Sequence, residues 1–132
     1  MGLEVFLTRY IDGEETKIDS DRLQEMLREF TIEVNGKFRT LRARDSSEAE
    51  VYIGDEGDCS FNDSTGGEID EFMIRVAREF KCALVPSYGP VMVLDEAQRR
   101  HLPERFSRDA VVIESAADLE EIMATEYDDE DE

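Results

Sequence analysis

Two stretches of this chain contain no lysine or arginine. Residues 45–72 hold ten carboxylates and no cation, and residues 109–132 hold eleven and none. Such surfaces repel nucleic acid and attract cations and basic proteins. Long apolar runs are missing too, which excludes a membrane-crossing helix. The start, Met-Gly-Leu-Glu-Val-Phe-Leu-Thr-Arg, lacks a signal peptide's basic opening and apolar stretch. Phe6 stands where a myristoylation motif needs Ser or Thr. A soluble, cytoplasmic protein is expected. There are only two cysteines, Cys59 and Cys82, in no CxxC pair, so a disulfide framework is excluded and reduced thiols are expected. The single histidine, His101, has neither an orienting partner nor a nucleophile near it in sequence, which argues for a structural role near a helix end.

What is present is a chain of 132 residues with net charge −19, in which 40% of residues are hydrophobic, seven of them Phe and four Tyr. A chain of this size buries roughly two thirds of its unfolded surface, so one domain with one core is expected. The basic residues are 12 Arg and 3 Lys. They concentrate in residues 31–44 and 73–108, each net positive by three.

Leu3, Val5 and Leu7 alternate with Glu4, Phe6 and Thr8, the period of a strand, and Asp12-Gly13 turns it. Asp19 or Ser20 caps a helix whose Leu23, Met26, Leu27 and Phe30 form one apolar stripe. Thr31 to Val34, Asn35-Gly36 and Lys37 to Arg44 read as a hairpin with a two-residue turn. A strand at Glu50 to Ile53 runs into a long polar loop from Gly54 to Ser64. Thr65 and Glu68 form a capping box for a central helix through about Phe80, marked by Ile69, Phe72, Met73 and Val76. Ala83 to Val85 and Val91 to Leu94 are short strands around a Pro86 to Pro90 turn. Asp95 with Gln98 caps a short helix to His101, which Pro103 stops. Ala110 to Ile113 is a buried strand, and Ser115 with Asp118 caps a last helix carrying Leu119, Ile122 and Met123. Residues 125–132 are expected to be a disordered acidic tail behind a domain spanning 1–124. Together these predict an α+β fold with a mainly antiparallel or mixed sheet, about four helices, and helices on one face.

No motif for chemistry holds up. An EF-hand register from Asp58 puts Asp63 where Gly is required and Ile69 where a bidentate Glu belongs. Gly66-Gly67 before a helix suits a phosphate, but Glu68, Asp70 and Glu71 oppose an anion there. Acid around Cys59 disfavours a thiolate. Lys37, Arg39, Arg42 and Arg44 are expected to pair with acids inside the fold. No catalytic, cofactor or metal residue is assigned, and no enzyme is expected.

The sequence therefore predicts a non-enzymatic acidic binding protein that resembles immunity proteins in size, charge and want of motifs. In that role, as an inhibitor or antitoxin-like immunity protein, it neutralises a basic protein partner, a toxin or nucleic-acid-processing enzyme, by complementary charge. Asp55, Glu56, Asp58 and Asp63 are the expected contacting carboxylates, with Tyr52, Phe61 and Tyr88 as aromatic anchors. One alternative is a DNA mimic that inhibits a nucleic-acid-binding protein, with carboxylates at roughly 7 Å spacing in place of phosphates. Another is a housekeeping domain adapted to high salt.

Overall fold

The computed structural model describes residues 4–55 and 58–131, with side chains through residue 124. Strand β1 (Glu4–Ile11) turns at Asp12 and Gly13 into a short β2 (Glu14–Thr16) that the sequence reading did not anticipate. Both turn residues have positive φ, 51° and 86°, as a type I′ hairpin turn requires. Helix α1 (Ser20–Leu27) begins as expected, with the Asp19 carboxylate accepting from the amides of Asp21 and Arg22. Strands β3 (Thr31–Asn35) and β4 (Phe38–Arg42) form the expected hairpin one register later. Asn35 pairs with Phe38, so Gly36, with φ 62°, and Lys37 are the central residues. A glycine in the first central position makes the turn and leaves Asn35 in the strand.

Strand β5 (Glu48–Ile53) leads to β6 (Cys59–Asn62), which corrects the long loop expected from Gly54 to Ser64. Cys59 and Phe61 turn into the core, a two-step alternation hidden among Asp, Ser and Asn. Then come α2 (Glu68–Phe80), β7 (Ala83–Pro86), β8 (Met92–Val93), α3 (Glu96–Arg99), α4 (Glu104–Ser107), β9 (Val111–Val112) and α5 (Ala116–Asp131). The side chains of the expected acidic tail, and Glu132 entirely, lie outside the described residues. Among the described residues no helix is long and apolar enough to cross a membrane.

The strands form one sheet in the order β3-β4-β5-β6-β1-β7-β8-β9, with β2 paired to β1. Every pair is antiparallel except β8 with β9, so the single α+β domain carries a mixed sheet. Alternation divides it into two faces. Val5, Leu7, Leu41, Val51, Phe61, Leu84 and Met92 point into one core with Leu23 and Leu27 of α1, Phe72, Met73 and Val76 of α2, and Leu119 of α5. Helix α5 runs antiparallel to α2, since Arg78 donates to the Glu114 carbonyl while the Gly67 amide donates to Glu120.

Helices were expected on one face only, yet a second, smaller cluster occupies the other. Tyr10, Ala83, Val91 and Val93 point away from the main core and pack with Leu102, Phe106 and Ala110. The parallel pairing of β8 and β9 explains it, because parallel neighbours require a crossover. That crossover, residues 94–110, carries α3 and α4 and lies over one end of the sheet. Arg99 staples it, pairing with Glu96 at 2.8 Å and donating to the carbonyls of Ser107 and Ala110 at 3.1 and 2.7 Å.

Candidate functional site

Beyond the crossover the outer face of the sheet is uncovered, and strand register lines up a row of side chains across it. Phe38 of β4 pairs with Tyr52 of β5, Tyr52 with Ser60 of β6, Ser60 with Phe6 of β1, and Phe6 with Val85 of β7. Phe38 and Phe6 are 41% and 40% exposed, and the rings of Phe38 and Tyr52 meet at 5.3 Å. Ser60 beneath them is only 1% exposed, its hydroxyl accepting from Asn62. Four strand spacings make this row about 19 Å wide.

The row next to it is Thr40, Glu50, Asn62 and Glu4 in the same register. Glu50 is exposed and Glu4 half-buried. On the opposite side, exposed Asp55 and Asp58 close the β5–β6 connection, where the Gly54 amide donates to the Asp58 carbonyl at 2.7 Å. The cations at this face are spoken for. Lys37 pairs with Asp55 at 3.2 Å, and Arg42 with Glu48 at 2.8 Å. The hydrogen bond and charge of Asp55 hold the Lys37 ammonium above its ordinary pKa. Arg44 lies 3.8 Å from Glu68, and Arg39 donates to Gln24. The hairpin's basic residues thus meet acids, or in one case an amide, within the fold.

The residues expected to meet a partner are divided by the structure. Tyr52 is in the aromatic row, and Asp55 and Asp58 flank it. Asp63 follows β6 at its far end, where its positive φ of 57° turns the chain. Tyr88 lies half-buried in the β7–β8 turn at that same end, because Ser87 beside it donates to the Glu4 carbonyl. Phe61 corrects the expectation outright. It is 1% exposed, its ring 6.4 Å from that of Phe72, and it has no surface to offer a partner. Strand parity is the reason, since Phe61 is one residue out of phase with Ser60. Glu56 lies outside the described residues. Phe6 and Phe38 were missed, although the signal was legible: each is an aromatic in the outward phase of its strand.

Much of the first acidic block is consumed by the fold. The capping box expected from Thr65 and Glu68 does not form. The Thr65 hydroxyl accepts from the Glu48 amide, and Glu68 accepts from the Arg44 amide. The free amides of α2 are instead met from a distance: Asp45 takes Glu68, Ser47 takes Ile69, and Glu120 of α5 takes Gly67, at 2.9, 3.1 and 3.0 Å. The Ser47 hydroxyl, with the backbone amides of Glu68 and Ser47, holds the Asp45 carboxyl below its usual range. Those α2 amides have acceptors already, so the phosphate seat at Gly66-Gly67 is filled by the protein itself. Asp70, buried beside Ser64 and Glu120, is pushed up to about 6, first by burial and then by the neighbouring carboxylate, against the hydrogen bond of Ser64.

Neither thiol is poised for chemistry. Both are buried; Cys82 is pushed up to about 12, and Cys59 higher still, by loss of solvent before any charge effect. Among the described residues no group of three or more His, Cys, Asp or Glu is placed to hold a metal ion. What the outer face offers is contact: flat aromatic area with carboxylates on two sides. No protein-family model, curated protein or solved structure matches the chain.

Proposed function

We propose that this protein is a non-enzymatic acidic binding protein of the inhibitor or immunity type, and that its open sheet face covers a basic surface on a partner protein such as a toxin or a nucleic-acid-processing enzyme. The observation that carries this reading is the row of exposed Phe38, half-buried Tyr52 and exposed Phe6, framed by Glu4 and Glu50 on one side and Asp55 and Asp58 on the other. Large exposed apolar groups on a monomer cost solubility and mark contact surfaces. Aromatic anchors supply affinity once water is excluded, and the carboxylates around them speed encounter and select for positive charge. Rings interleaved with carboxylates favour a protein partner over a role as a DNA mimic, which needs an unbroken anionic array.

The test is capture from the protein's own cells at low and high salt, comparing the wild type with the double variant Phe6→Ser, Phe38→Ser. The expected result is a basic protein held by the wild type, released by salt and lost from the variant, whose purified activity is suppressed on adding the wild type. A partner retained equally by the variant, or one whose activity is untouched, would overturn the reading.

A further inference from the structure

At the opposite end of the sheet the charge reverses. Arg9 near the end of β1, Arg78 and Lys81 at the end of α2, and His101 in the crossover line one cleft of about 540 Å³. Among the described residues Arg22, Arg28, Lys37, Arg42, Arg44, Arg75 and Arg99 each pair with an acid, and His101 has the Asp12 carboxylate 3.6 Å from its Nδ1. Among the described residues Arg9, Arg78 and Lys81 take part in no ion pair; Arg78 makes one bond, to the Glu114 carbonyl at 3.3 Å. Asp95 also lines the cleft, but its carboxylate caps α3 by accepting from the Gln98 amide at 2.9 Å.

The helix end accounts for part of this arrangement. Cations near a helix C-terminus meet the negative end of its dipole, which suits Arg78 and Lys81. Arg9 sits on a strand and His101 on a separate connection, so the dipole does not explain why they share the cleft. His101 is oriented: its Nδ1 accepts from the Asp12 amide at 3.2 Å, which places the proton of the neutral ring on Nε2. Apolar wall comes from Ile11, Leu94 and Leu102. Several convergent donors set in an apolar cleft of this volume are the features of a small-molecule site.

We infer that this cleft binds a small organic phosphate, a phosphomonoester with a compact apolar body. Two guanidinium forks and an ammonium match a phosphate dianion, since arginine engages its oxygens in pairs and lysine adds a point charge. The apolar wall takes the body of the ligand. A long polyanion is disfavoured, because its flanks would run into a molecule of net charge −19, whereas one phosphate feels mainly the local cations. The site is separate from the aromatic face and stands whether or not that face binds a partner.

The experiment uses the full chain, with calorimetry and amide chemical shifts, and phenyl phosphate, inorganic phosphate, phenol and a short single-stranded oligonucleotide as probes. Phenyl phosphate is expected to bind one to one, with shifts centred on Arg9, Lys81 and Leu94, and to bind more tightly than inorganic phosphate or phenol. Arg9→Gln and Lys81→Gln should each weaken it about tenfold or more, the worth of a charge-assisted contact. Lys81→Gln serves as the second variant because glutamine meets the same backbone demand at that position. Absence of saturable binding, affinity unchanged in both variants, or tighter binding of the oligonucleotide would overturn the proposal. Inorganic phosphate binding as tightly as phenyl phosphate would overturn the apolar half of it. The double variant Phe6→Ser, Phe38→Ser should bind phenyl phosphate as the wild type does.

Discussion

Strand β1 carries two outward aromatics with opposite fates. Phe6 is 40% exposed, whereas Tyr10, four residues on and in the same phase, is 8% exposed under Leu102 and Phe106. The difference is the crossover between β8 and β9, which lies over one end of the sheet and leaves the other bare. At the covered end the ring of Phe106 lies 6.2 Å from that of Tyr10. The bare end keeps its rings in water and surrounds them with carboxylates, the arrangement on which the proposed partner contact rests.

The sharpest way to break this comparison is to delete rings on both sides of the sheet. Phe61→Ala, which empties a fully buried site beside Phe72, should cost about 3–5 kcal/mol in urea unfolding. Tyr10→Ala should cost less, about 2–4 kcal/mol, and should speed amide exchange in 94–110, because it removes the floor of the second cluster. Phe6→Ser should change stability by only about 0.5 kcal/mol while abolishing partner capture. If Phe6→Ser proves as costly as Tyr10→Ala, the bare face is structural and the comparison fails.

A gentler probe is the buried carboxyl of Asp70. Its folded pKa of about 6 lies above the ordinary aspartate value of 3.8, so the folded state holds this proton more tightly than the unfolded chain. The contribution is therefore stabilising below about pH 4 and is lost as pH rises through about 6. Asp70→Asn keeps an acceptor for Ser64 and gives Glu120 a donor. It should raise the melting temperature at pH 7 to 8 by a few degrees and make no difference near pH 4, as thermal scans at the two pH values would show. The smallest effect is expected at Lys81, a non-glycine in the left-handed region with φ 56° at the end of α2. Lys81→Gly should stabilise by about 0.5–1 kcal/mol through relief of that conformation. In the same variant phenyl phosphate affinity should fall, so stability and binding would move in opposite directions.

The sequence was most readable where one segment carries its own instructions. Asp19, Asp95 and Ser115 each cap the helix that follows, as their positions suggested. The periodicity of α2 likewise located the centre of the core. What escaped was assembled from a distance. Helix α2 draws its caps from Asp45, Ser47 and Glu120, residues 22 to 53 positions away, which no local pattern announces. Strand β6 was masked by polar neighbours; β9 was expected within Ala110 to Ile113, and only its parallel partner, reached across a crossover, went unread. The acids from Asp55 to Asp63 looked like one cluster because they are close in sequence, yet a strand between them carries Asp63 to the far end. The basic cleft went unseen for the converse reason: Arg9, Arg78 and His101 lie far apart along the chain and meet only in three dimensions.

The crossover from β8 to β9 therefore has two jobs that cannot be separated. It roofs the phosphate cleft with His101 and Leu102, and it delivers the last strand to the edge of the sheet. Peeling that edge away dismantles the cleft, so an occupant opposes peeling by an amount that grows with its concentration relative to its dissociation constant. Protection of β9 from exchange would then report ligand concentration, making the margin of the sheet a gauge of what the cell supplies.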